Sequence, residues 1–104
     1  MKKMTLADLQ YDGRRLMPSQ YGEREITEGG VTVFQPGETV HPDYHVHELD
    51  EVFIFVQGRG VLPIDGVEYP IQTGDVFIVE AGEDHHTRSA PDESLVAVWY
   101  LVGE

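Results

Sequence analysis

From Val31 onward, short apolar and β-branched runs recur between Gly- and Pro-containing breaks, the spacing of an all-β sandwich or barrel. The runs are Val31 to Gln35, Tyr44 to His47, Glu51 to Gln57, Val61 to Ile64, Val67 to Ile71, Val76 to Glu80, His85 to Arg88 and Leu95 to Val102. Pro36-Gly37-Glu38, Gly58-Arg59-Gly60, Thr73-Gly74-Asp75 and Ala81-Gly82-Glu83-Asp84 supply breaks. Asp65-Gly66 predicts a two-residue hairpin, because a type I′ turn needs positive φ at both central positions. Residues 1–24 lack such patterning, apart from a short helical turn around Leu6 to Leu9. They are expected to pack on the barrel of residues 25–104 or on a partner subunit.

Val52 to Val56 and Leu95 to Val102 are apolar on both faces rather than alternating. One face fills an interior, so the other needs a cover. A second subunit is the expected cover, making a homodimer, and a flap of the N-terminal segment is the alternative.

Length and composition narrow the function classes. The 104 residues suit one domain, and 40% hydrophobic content suits a folded one. Nineteen acidic against seven basic side chains give a formal net charge of −12, a field that repels phosphate backbones and anionic lipid surfaces. Neither nucleic acid nor membrane is therefore an expected partner. The chain has no cysteine, which leaves His and carboxylate as the available metal ligands. Without a secretory signal pattern or an apolar run near 20 residues, a cytoplasmic location is expected.

His45 and His47 are one residue apart, and on a strand both imidazoles share a face and can approach a common point. Glu51 follows after a bend-length interval, and His85 comes two hairpins later at the start of another strand. Each alone reads more simply as a surface or structural residue. Their order carries more: His45-x-His47-x3-Glu51-x6-Gly58, then Gly74-x7-Gly82-x2-His85, resembles both motifs of the cupin family. The resemblance implies a double-stranded β-helix, or jelly-roll, barrel of six to eight strands, usually homodimeric, with a metal site in its interior. It maps the metal ligands onto His45, His47, Glu51 and His85. Three departures concern turns rather than ligands. Seven residues separate Gly37 from His45 where the family has five, and Glu80 and Ser89 stand where it has Pro and Asn.

Such a ligand set would hold one divalent transition metal (Fe, Mn, Ni, Zn or Cu) and, in octahedral geometry, leave two positions for a substrate. Tetrahedral zinc closed by all four side chains would instead be structural. Strand parity from Glu51 places Phe53, Phe55 and Gln57 on the ligand face, provided no bulge intervenes. His41 is a candidate for the pocket mouth, where solvent exposure is the simpler reading, and His86 should point away from His85. Trp99 and Tyr100 take opposite faces, one filling the core. Arg59 and Arg88 are candidate carboxylate contacts, Arg59 more simply a solvated turn residue. These expectations favour a metal-dependent enzyme acting on a small organic molecule, dioxygenase-like first and isomerase, lyase or cyclase next. Glu51 would be a ligand that also exchanges protons. The alternatives are a small-ligand-binding module without turnover and a metal-stabilised structural protein.

Overall fold

The computed structural model describes residues 1–39 and 48–103. They form two antiparallel sheets facing each other. The larger has strand order β1 (Lys2–Thr5), β6 (Asp75–Val79), β3 (Asp50–Gln57), β8 (Leu95–Val102), β2 (Ile26–Phe34). The smaller has order β5 (Val67–Ile71), β4 (Gly60–Ile64), β7 (Arg88–Ser89). This is the all-β architecture that the punctuated runs predict and the jelly-roll arrangement that the family resemblance implies.

Alternation sorts the central strands onto two faces. Phe53 lies opposite Phe77 and Trp99, and Phe55 opposite Ala97, so these side chains share the inner face. With Phe34, Leu62, Ile64, Ile71, Val79 and Leu95 they build the core between the sheets. Phe55 and Phe77 are fully buried and meet edge to face with centroids 5.7 Å apart. Trp99 is the inward member of the Trp99–Tyr100 pair. Its indole covers Gly30, where an added Cβ would come within 3.0 Å of the ring, and Nε1–H donates to Thr32 Oγ1 at 3.0 Å.

The outward face carries a second cluster of Val52, Ile54, Val76, Ile78, Tyr100 and Val102, and much of its cover comes from within the chain. Leu9, from the short helix α1 (Leu6–Tyr11), and Tyr21 are buried against it, with Met4 and Met17 beside them. The Tyr100 hydroxyl donates to the Leu16 carbonyl, pinning the same segment. A capping box starts α1: Thr5 Oγ1 accepts Asp8 N–H and Asp8 Oδ2 accepts Thr5 N–H. Leu9 and Tyr21 thus supply cover for this face from within the chain. Val31, Val33 and Val56 remain exposed.

At Asp65-Gly66 both φ angles are positive, +47° and +83°, as the hairpin requires. β3 carries a register shift between Phe55 and Gln57, a bulge that removes Gln57 from the Phe53–Phe55 row and leaves it exposed. Beyond it, Gly58 (φ +85°) crosses so close to β8 that an added Cβ would lie 2.0 Å from the Ser94 carbonyl oxygen. No helix among the described residues is long and apolar enough to cross a membrane.

Candidate metal centre

Glu51 enters β3 as its second residue, between Val79 on β6 and Leu101 on β8, and points inward with Phe53. His85 is held differently. It lies outside the named strands and is placed by an isolated bridge to Ile64 at the end of β4. The two meet across the barrel: His85 Nε2 is 3.1 Å from Glu51 Oε1. Glu51 is 6% exposed and His85 4%. Leaving a carboxylate at that depth without compensation costs several kcal/mol, so its charge must be balanced by a cation or removed by a proton.

The other ring nitrogen limits how that can happen. His85 Nδ1 lies 3.1 Å from the Glu83 carbonyl oxygen, which can only accept, so Nδ1 carries a proton. Nε2 then faces Glu51 either as a second N–H, making an imidazolium, or as a lone pair that shares a proton or a metal cation with the carboxyl group. The second arrangement is the usual one for a ligating histidine, whose far nitrogen donates to a carbonyl or carboxylate. The donor set, a buried imidazole with its tautomer fixed beside a buried carboxylate, therefore fits a divalent metal. Among the described residues, no group of three His, Asp or Glu side chains is assembled. His45, His47 and His41 lie outside the described residues.

Phe53 presents an apolar wall to the pair, its ring 5.9 Å from that of His85 in an edge arrangement and stacked on Phe55 at 5.8 Å. Phe55 lies deeper and fills core. His86 is half-buried and paired with Asp84 at 2.8 Å, its backbone N–H bonded to Pro63. Arg59 is an exposed turn residue paired with Glu93 at 2.7 Å and Asp92 at 3.3 Å, and Arg88 pairs with Glu68 at 3.2 Å.

Asp50 is the residue that motif reasoning passed over. Oδ1 of Asp50 accepts the Ala81 N–H and Oδ2 accepts the Tyr21 hydroxyl, both at 2.8 Å. Burial, with the hydrogen bond to Asp50, pushes the Tyr21 phenol well above its ordinary range, so it stays a neutral donor. The available signal was position alone, since a residue adjacent to an inward Glu51 must point outward.

Comparison with known proteins agrees with this fold. The Cupin domain family matches residues 30–101. Dimethylsulfoniopropionate lyase DddW of Ruegeria pomeroyi is 30% identical over 63 residues, which is 61% of this chain and 40% of that protein. Polyketide synthase CurC of Streptomyces cyaneus is 26% identical over 72 residues, 69% of this chain and 46% of that one. The chain thus spans less than half the length of either relative. A cupin protein from Bacteroides fragilis superposes with a TM-score of 0.70 at 23% identity, covering 75% of this chain and 66% of that structure. With a family match across residues 30–101, most of the barrel, this chain belongs to the cupin family.

Proposed function

We propose that this cupin holds one divalent transition metal through His45, His47, Glu51 and His85 and acts enzymatically on a small organic molecule. The observation that supports it is the buried contact of Glu51 Oε1 with His85 Nε2 at 3.1 Å, with Nδ1 turned to the Glu83 carbonyl. A bound ion would act as Lewis acid or as platform for substrate and O2. The chain's own contributions are distinct from that. Glu83 fixes the His85 tautomer, Phe53 excludes water from one side of the pair, and Glu51 exchanges protons with substrate.

An oxidative, dioxygenase-like reaction is the first reading, because an imidazole-rich site with open positions suits Fe(II) and O2. A lyase is the second, favoured by the resemblance to DddW. Metal-stripped protein reloaded with Fe(II) or Mn(II), screened with small carboxylic acids with and without O2, separates them. Consumption of O2 matched to product supports the first, and anaerobic product release supports the second. Failure to take up any of Fe(II), Mn(II), Ni(II), Zn(II) or Cu(II) would contradict both.

A further inference from the structure

The outward carboxylate of Asp50 belongs to a closed loop of contacts that runs through the candidate site. Its Oδ1 accepts the Ala81 N–H at 2.8 Å. From Ala81 the chain passes through a turn tied by Glu83 N–H to the Glu80 carbonyl at 3.1 Å and by Glu80 N–H to Glu83 Oε1 at 2.7 Å. The Glu83 carbonyl takes His85 Nδ1–H at 3.1 Å, and His85 Nε2 meets Glu51 Oε1 at 3.1 Å. Because Glu51 follows Asp50 directly on β3, the loop closes. Tyr21 bonds to the remaining oxygen of Asp50 at 2.8 Å from within the outward cluster, so the N-terminal cover is attached to the same loop.

We infer that Asp50, held by Tyr21, is a positioning residue that sets the separation of the Glu51 carboxylate from the His85 imidazole. The turn at Ala81 is also held by the Met1 ammonium on Glu83 at 2.8 Å, and beyond it by the Asp65–Asp84 bonds and the Ile64–His85 bridge; the Asp50 contact is what ties it to the strand that carries Glu51, whose pairing on the β6 side ends at Glu51–Val79. Metal–ligand distances tolerate only a few tenths of an ångström, and loss of an orienting partner commonly weakens a site about 10- to 100-fold. The inference rests on the metal reading for its consequence and on the loop of contacts for its cause.

A pair of tyrosines supplies the control. Tyr21 and Tyr100 each use a hydroxyl to tie the N-terminal segment to the large sheet, and only Tyr21 does so through Asp50. The experiment compares Asp50→Ala, Tyr21→Phe and Tyr100→Phe by thermal unfolding, by calorimetric titration of metal-stripped protein with Mn(II), and by NMR of the His85 Nδ1–H proton without metal. The expected result is roughly tenfold weaker binding in Asp50→Ala and several-fold weaker binding in Tyr21→Phe. Tyr100→Phe should lower the unfolding temperature and leave the affinity unchanged. In the metal-free proteins, exchange of the Nδ1–H with solvent should accelerate in the first two variants only. Native affinity and native exchange in Asp50→Ala and Tyr21→Phe would overturn the inference, as would an equal affinity loss in Tyr100→Phe. If Asp50→Ala does not fold, Tyr21→Phe decides. If the native protein binds no Mn(II), the titration is repeated with Fe(II), Ni(II), Zn(II) and Cu(II); uptake of none of them fails the metal reading, and the proton-exchange comparison still decides the role of Asp50.

Discussion

Glu51 and His85 answer to different neighbours, and single substitutions should separate their roles. Glu51→Gln keeps volume and hydrogen bonding but removes the buried charge, so bound metal should fall to about a tenth or less at equal loading, measured by elemental analysis. His85→Ala should do the same and leave the Glu51 carboxylate buried without its imidazole, lowering stability by roughly 3–5 kcal/mol in denaturant titration. Native metal content in both variants would place the metal elsewhere. At this scale the sequence was informative where chemistry is carried by rare residue types in order. Motif spacing singled out Glu51 and His85, and the structure sets them 3.1 Å apart. Asp50 was not singled out, because one carboxylate among nineteen acidic residues carries no mark of its partners. Its bonds to Tyr21 and Ala81 are long-range contacts that no local pattern encodes.

Strands were legible where composition and turn chemistry agree. Val67–Ile71 and Leu95–Val102 have the boundaries that the apolar runs predict, and Asp65-Gly66 turns as its residues require. Less visible was β1, Lys2–Thr5, because an edge strand gains its pairing from β6 and needs no apolar alternation of its own. The segment from His85 to Arg88 reads as one strand in sequence but narrows to an isolated bridge at His85 and a two-residue β7. The bulge before Gln57 escaped for a similar reason: an extra residue in a strand leaves its composition unchanged. Two substitutions test the elements. Gly58→Ala meets both the positive φ and the Ser94 carbonyl, so it should destabilise by more than about 2 kcal/mol in urea unfolding. Phe55→Ala, deep between the sheets, should cost roughly 3–5 kcal/mol. A loss below 1 kcal/mol at either site would show that the crossing or the core is looser than described.

For the whole molecule, the two sheets enclose the site while the N-terminal residues close the outward face, so stability and site geometry share contacts. Tyr100 makes the shared dependence measurable. Burial pushes its phenol up to about 12, and Tyr21 is raised as well, whereas unfolded tyrosines ionise near pH 10. Because the folded chain keeps these protons longer, their stabilising contribution is complete below about pH 10 and is lost as pH rises toward 12. The urea midpoint should fall over that window, less steeply in Tyr100→Phe, and a flat profile would contradict the buried hydroxyls. At the other end, protonation of ligating imidazoles should release the ion below about pH 6. Retention at pH 4 would contradict a histidine-based site. The most direct test of the central claim is elemental analysis of the protein purified without added metal or an affinity tag, repeated on Glu51→Gln. Near one transition-metal ion per chain in the native protein, with most of it lost in the variant, is the predicted result. A native protein that carries no transition metal and takes none up from Fe(II), Mn(II), Ni(II), Zn(II) or Cu(II) would show that Glu51 and His85 form a proton-bridged structural pair instead.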